Sequence, residues 1–193
     1  LAQPDGIASA SLLGHAKTEL SRGIDLVQAL AAPMSPGVSW LGVRTGSFGE
    51  SAALLILCGG VYLILTGVIT WHAPLAVLAG LAVPAAIAHA LDPAHHLGAM
   101  AHLLSGAAML GAFFIATDYV TSPNTAAGQI VFGLGIGLIT WVIRSWGGYP
   151  EGMAFAVLLM NALTPVIDRV VKPRILGRDR RGKPLSLPET REA

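Results

Sequence analysis

Ile130-Val131-Phe132-Gly133-Leu134-Gly135-Ile136-Gly137-Leu138-Ile139-Thr140-Trp141-Val142-Ile143-Arg144-Ser145-Trp146-Gly147-Gly148-Tyr149-Pro150-Glu151-Gly152 decides the fold. An uncharged apolar run ends on Arg144 and Trp146, crosses a short break of turn formers, and is followed at once by another apolar run. A bilayer core about 30 Å thick needs roughly 20 apolar residues of helix to cross it. Reading outward from this stretch, five segments qualify, at about 50–69, 73–91, 99–117, 127–144 and 151–168. The breaks between them are short: His72-Ala73-Pro74, Asp92-Pro93-Ala94-His95-His96, Asp118 to Asn124, and Gly147 to Pro150. Turn formers of this kind imply antiparallel neighbours in one bundle. With 53% hydrophobic and 12% charged residues and a mean hydropathy of +0.65, the chain falls outside the range of soluble domains. The expected fold is all-α, a polytopic transmembrane helical bundle of about five spans.

Charge sets the expected orientation. Arg169, Lys172, Arg174, Arg178, Arg180, Arg181 and Lys183 follow the last span, and a basic tail of that density belongs in the cytoplasm. Counting back places residues 1–45 outside as an extracytoplasmic, periplasmic segment, 46–168 as the bundle and 169–193 as the cytoplasmic tail. Leu1 is neither an initiator Met nor part of a signal sequence, so the sequence is expected to be the C-terminal part of a longer chain. Within the spans Gly59, Gly60 and Gly67, Gly106 and Gly111, and Gly133 with Gly137 recur at helical spacing; they read as packing positions where helix backbones approach closely. Glu50, Asp118 and Glu151 sit at span ends and no carboxylate is mid-span, so no relay of buried acids for a cation is visible.

Cys58 is the one cysteine and lies in an apolar run, which excludes internal disulfides and multi-cysteine iron–sulfur or zinc sites and reads as a small buried hydrophobe. His89, Asp92, His95, His96 and His102 are the densest set of metal-ligand types. Pro93 would break the helix needed to align His89, Asp92 and His96, and no metal is expected. Arg144 and Trp146 read as boundary anchors at the outer end of the fourth span.

The one place built for chemistry is Asp5-Gly6-Ile7-Ala8-Ser9-Ala10-Ser11, just ahead of Leu12-Leu13. Residues 12–22 suit a short interfacial helix, with Ser11 as its N-cap and Gly23 just past its end. Capping alone explains a serine there. Gly6, Ala8, Ser9 and Ala10 also leave the backbone open to a bulky group beside Asp5, so both readings stand. At Gly46 to Glu50, free backbone N–H groups and a carboxylate open the first span on the same side; Ser47 serves there as a helix cap or as part of a polar lining for a ligand.

The phrase resembles the site at which FMN is attached through a phosphoester to a side-chain hydroxyl in the D subunit of Rnf complexes and the B subunit of the sodium-pumping NADH:quinone oxidoreductase. That family's pattern is Asp, a few residues, then Ser/Ala-Gly/Ser-Ala-Thr; Ala8-Ser9-Ala10-Ser11 matches it with Ser in place of the usual Thr. Further phrases match in order: Gly46-Ser47-Phe48-Gly49-Glu50-Ser51, His102-Leu103-Leu104-Ser105-Gly106, Ala116-Thr117-Asp118, Thr121-Ser122-Pro123 with Tyr119 replacing a usual Pro, Arg144 through Gly152, and Leu159-Met160-Asn161-Ala162. Gly-Gly-Tyr-Pro-Glu-Gly and Leu-Leu-Met-Asn-Ala are closer to the Rnf D wording.

The resemblance implies one half of an inverted-repeat, urea-transporter-like fold. It implies a flavoprotein of the bacterial inner membrane that carries covalent FMN on Ser11, near Asp5, Gly6 and Ser9, with Ser47, Gly49, Glu50, Tyr149 and Glu151 on the same outer face. Asp118 and Thr121 fall on the opposite, cytoplasmic face, where they would bind a second ligand or cap the turn; riboflavin is the second flavin the resemblance implies. The implied role is electron relay within an ion-translocating ferredoxin:NAD oxidoreductase, coupled to Na+ or H+ transport. The implied partners are the A, B, C, E and G subunits and a flavin transferase, with no nucleic acid and no independent catalysis by this chain. The alternatives are a flavin-free channel or transporter repeat, with paired half-helices, and a structural membrane anchor.

Overall fold

The computed structural model describes residues 12–21, 52–149 and 151–172. All regular structure among them is helical: α1 (Leu12–Ser21), α2 (Ala53–Leu65), α3 (His72–Leu91), α4 (Ala99–Leu104), α5 (Ala108–Leu110) running into a π turn (Gly111–Ile115), α6 (Ala126–Trp146) and α7 (Met153–Val170). Three of these, α3, α6 and α7, are long and apolar enough to cross a membrane, and α2 is a shorter apolar helix. The polytopic helical membrane fold expected from the sequence is therefore present, with two differences in how its segments are built.

The first concerns α2. The expected span runs to residue 69, but the helix stops at Leu65, where Gly67 adopts φ +73°. Its N–H bonds Ile64 O at 3.0 Å, and Val68 N–H bonds Leu63 O at 3.0 Å. This is the Schellman arrangement, in which a left-handed glycine turns the chain back onto the last carbonyls. A Cβ on Gly67 would meet nothing within 4 Å, so Gly67 is a helix stop and not the packing position expected. Cys58, on the same helix, is exposed and not the buried hydrophobe expected.

The second difference is larger. The expected continuous span at 99–117 is broken. α4 ends at Leu104, Ser105 is extended, Gly106 has φ +63°, and the helix resumes as α5 and the π turn, closed by Ala116 N–H to Gly111 O at 2.8 Å. Backbone at membrane depth is tolerated outside a helix only where other protein groups satisfy it. Here those groups come from the junction between α6 and α7.

The expectation about small residues holds at the main helix seam. α3 and α6 make the most extensive contact in the bundle. Their backbones touch because Gly80 of α3 lies under Leu134, where an added Cβ would come within 2.6 Å of the Leu134 carbonyl oxygen. Gly133 lies against Ala73 and Val77 in the same way, and Gly137 against Val77, Gly80 and Leu81. Gly60 and Gly111 accept the Phe113 ring and the Met153 side chain respectively. Around this seam Val77, Leu81, Phe132, Ile136 and Met153 form the buried core. Leu75, Val83, Ile87, Leu138 and Leu158 remain exposed on the outer faces, as lipid-facing side chains should. Gly137→Val would push α3 and α6 apart. We expect a loss of about 1–3 kcal/mol, read as a lower apparent Tm of the purified protein in detergent, whereas Leu138→Val on the exposed side should leave Tm almost unchanged.

Candidate functional site

Breaking a helix at Ser105–Gly106 exposes carbonyls on one side of the break and an amide on the other. Both are answered from the junction between α6 and α7. Arg144, in the last turn of α6, is only 4% exposed. Its Nη1 donates to His102 O at 2.6 Å and its Nη2 to Ser105 O at 3.0 Å. Glu151 Oε2 accepts from Ala107 N–H, across the break, at 3.1 Å. The two side chains are paired, with Nη2 2.8 Å from Oε2 and 3.0 Å from Oε1, and Oε1 also accepts from Gly152 and Met153 N–H at the start of α7. Arg144 is thus a buried tie between two broken ends and not the boundary anchor expected, while Trp146 is 65% exposed as an anchor should be. Gly106 is required twice over: for its positive φ, and because a Cβ there would collide with the Glu151 carboxylate and the Arg144 guanidinium.

The same end of the bundle receives α1, which spans Leu12–Ser21 as the sequence suggests. Leu13 and Gly14 are buried, and the Lys17 ammonium bonds Ile143 O (3.3 Å), Gly147 O and Tyr149 O (2.6 Å). Cations are favoured at a helix C-terminus, where carbonyls lack intrahelical donors. Burial pushes the Lys17 pKa down. Tyr149 itself is 65% exposed and packs beside the Phe155 ring at 5.7 Å. Of the site residues named from sequence, Tyr149 and Glu151 are therefore brought together with α1, the helix that follows Ser11. Both oxygens of Glu151 are already occupied by internal partners. Ser11, Asp5, Gly6, Ser9, Ser47, Gly49 and Glu50 lie outside the described residues.

Asp118 and Thr121 sit at the opposite end, as expected, and bond each other: Thr121 Oγ1 donates to Asp118 Oδ2 at 3.0 Å. Hydroxyl contacts tie that end, with Thr164 Oγ1 to Thr121 O at 2.9 Å and Thr70 Oγ1 to Gln129 Oε1 at 2.6 Å. Thr125 caps α6 by accepting from Gly128 N–H at 3.0 Å. In the histidine cluster, His95 Nδ1 lies 2.8 Å from Asp92 Oδ2, and that bond holds the Asp92 carboxyl below the usual carboxylate range. His89 Nδ1 is 2.7 Å from His96 O. Among the described residues no three His, Cys, Asp or Glu converge on a metal position.

Residues 1–177 match the model of the NQR2, RnfD, RnfE family. The chain belongs to that family. It is 49% identical over 181 residues to the D subunit of the ion-translocating oxidoreductase complex of Stutzerimonas stutzeri, covering 94% of this chain and 51% of that protein. The proteins of the same name from Halorhodospira halophila and Erwinia tasmaniensis are 48% and 46% identical, over 94% and 93% of this chain and 51% and 49% of theirs. The chain spans about half the length of these curated relatives. The phrases that suggested the NQR2, RnfD, RnfE family from sequence now have a spatial meaning: Arg144 and Glu151 of one grip His102, Ser105 and Ala107 in and beside another.

Sequence reasoning missed this tie because Arg144 and Glu151 are separated by a stretch containing Gly-Gly-Tyr-Pro, which reads only as a loop. The available signal was three polar or flexible residues, His102, Ser105 and Gly106, inside a run that should otherwise be apolar. Glu151→Gln would leave the buried guanidinium without its counter-charge; we expect a loss on the order of 3 kcal/mol, measured by thermal unfolding in detergent. Arg144→Met should cost more, because His102 O and Ser105 O then lose their donor as well. Lys17→Met should release α1, with amide hydrogen exchange across Leu12–Ser21 faster by about tenfold, equivalent to about 1–2 kcal/mol.

Proposed function

We propose that this chain is the C-terminal part of a D-type subunit of an Rnf ion-translocating oxidoreductase complex, and that it carries FMN as a phosphoester on Ser11. The observation that carries this reading is the match along nearly the whole chain to relatives named as the D subunit of an ion-translocating oxidoreductase complex. The structure supports the flavin position in one respect. α1 begins one residue after Ser11 and is docked by Lys17 on the Tyr149 end of the bundle, so a group on Ser11 would be tethered to a fixed frame.

The residues proposed around the flavin are Asp5, Gly6 and Ser9 from its own loop, Ser47, Gly49 and Glu50 from the start of the first span, and the exposed Tyr149 ring. Glu151 acts beneath them, fixing the α6–α7 turn that presents Tyr149. Covalent FMN supplies one- and two-electron transfer; the chain's own side chains hold it at a set distance from neighbouring redox centres and exclude water from part of its surface. Electron relay would couple to Na+ or H+ transport in a complex with the A, B, C, E and G subunits, in the bacterial inner membrane with the Ser11 end periplasmic. A flavin transferase would load the FMN, and a riboflavin would be the second flavin of the assembly.

Among the described residues, the broken third span is the one feature shared with the alternative, a flavin-free channel or transporter repeat. Its free carbonyls and amide, however, point at Arg144 and Glu151, not at a solute. The test is a denaturing gel of the full-length subunit coexpressed with its transferase. In-gel flavin fluorescence should be present in the wild type, lost in Ser11→Ala and retained in Ser11→Thr. Fluorescence that survives Ser11→Ala would remove Ser11 as acceptor, and a dark wild type would favour the transporter or anchor.

A further inference from the structure

Ser105 Oγ, Arg144 Nε and His102 Nδ1 in the Arg144 knot have no protein partner, and the two nitrogens belong to side chains that share a pocket. Arg144 and His102 are more than nine-tenths buried, at 4% and 3% exposure. Both line a small pocket of about 40 Å³, with Lys17, His95, His96 and Ser145 among the other walls. A buried polar group without a partner costs about 1–3 kcal/mol, so an occupant that bonds these nitrogens is stabilised there. The polar lining is nitrogen groups and one hydroxyl, with no carboxylate. Such a lining suits an anionic oxygen.

The pocket opens beside an apolar groove. His96 also lines a cavity of about 340 Å³ between α3 and α6, walled by Trp141, Trp146, Leu91, Ile87 and Pro84. Pro84 and Ile87 in turn line a further apolar depression of about 290 Å³ that reaches Leu134 and Leu138. From Asp92 to Ala79 the α3 axis falls by about 20 Å, comparable to the reach of a fatty acyl chain. Trp141 and Trp146 meet edge to face at 4.8 Å, and His96 lies against Trp146 at 6.4 Å, making a rigid aromatic wall at the junction. Indole side chains favour the headgroup level of a bilayer. Asp92, the carboxylate at the groove, is tied to His95 and Ala94.

We propose that this end of the bundle holds one phospholipid, its phosphate against Arg144, His102 and His96 and one acyl chain laid along the α3–α6 groove. Guanidinium and ring N–H groups donate charge-assisted hydrogen bonds to phosphate oxygens, and this pocket continues into an apolar channel. The ligand would satisfy the two orphaned nitrogens and cover exposed apolar surface on α3 and α6. The proposal does not depend on flavin at Ser11.

Native mass spectrometry of the full-length subunit, purified in mild detergent, tests it. The wild type should retain one phospholipid and, after delipidation, rebind dioleoylphosphatidylglycerol. Ala88→Phe, which fills the groove from the α3 side, and His96→Ala should each weaken rebinding by at least about tenfold, while Ser11→Ala should not. Dioleoylglycerol, with the same tails and no phosphate, should fail to compete. Equal binding of dioleoylglycerol, displacement by inorganic phosphate alone, unchanged rebinding in both groove variants, or loss of the lipid in Ser11→Ala would each overturn the proposal.

Discussion

The ion pair between Arg144 and Glu151 is the constraint on which the rest of this bundle depends. A guanidinium with 0% of its side chain exposed is costly to bury and is tolerated only when its charge is paired and its donors are bonded. Here the pairing and most of the bonding come from groups that need a partner themselves. The carbonyls of His102 and Ser105 are freed by the helix break, and the Ala107, Gly152 and Met153 amides are free because helical segments begin there. One pair therefore closes a broken span, fixes the turn between α6 and α7, and sets the start of α7. The Lys17 ammonium bonds the Gly147 and Tyr149 carbonyls just beyond α6, and Ile143 O in its last turn, and so brings α1 onto that end.

The two ends of the bundle are held by different chemistry. At the Glu151 end the ties are charged and reach across 126 to 132 residues in the case of Lys17 and 39 to 44 in the case of the Arg144 knot. At the Asp118 end they are mostly hydroxyl bonds, such as Thr164 to Thr121 O and the Thr125 cap. Neutral hydrogen bonds contribute about 0.5–1.5 kcal/mol each, and bonds to charged groups roughly twice that. Between the ends runs the glycine seam of α3 and α6, whose closeness depends on van der Waals contact and not on charge. The fold is thus pinned most strongly where α1 docks. That placement suits a reading in which the segment just before α1 must be held at a defined position.

Much of the fold was legible in the sequence because its signals are long. Apolar runs of span length identified α3, α6 and α7, and Gly133 with Gly137 located the closest helix contact. The helix α1 over Leu12–Ser21 lies within the segment expected to be helical, while its expected caps, Ser11 and Gly23, fall outside the described residues. What escaped was short and depended on partners far away in the chain. Gly67 and Gly106 look the same in sequence as packing glycines, but each is distinguished by a positive φ that only the chain reversal or helix break around it demands. Arg144 at the end of an apolar run has the pattern of a membrane anchor. Its burial follows from the break at Ser105, which hydropathy cannot register because the residues on both sides of it are apolar. The flavin proposed at Ser11 rests on resemblance alone, since a serine ahead of a helix has an adequate explanation as a cap.

The direction of the Arg144–Glu151 pair carries information beyond its existence. The carbonyl side of the break is electron-rich and meets the guanidinium, while the amide side is electron-poor and meets the carboxylate, so each charge lies against the backbone dipoles that favour it. Exchanging the two residues would keep a salt bridge but turn both sets of dipoles against their neighbours. An apolar pair of similar volume could fill the space, as is often tolerated for simple buried ion pairs, but would leave the His102 and Ser105 carbonyls and the Ala107 amide without partners in a low-dielectric interior. The break and the pair are therefore one device: the chain can interrupt its third span only because Arg144 and Glu151 flank the turn opposite, and those charges can be buried there only because the span is interrupted.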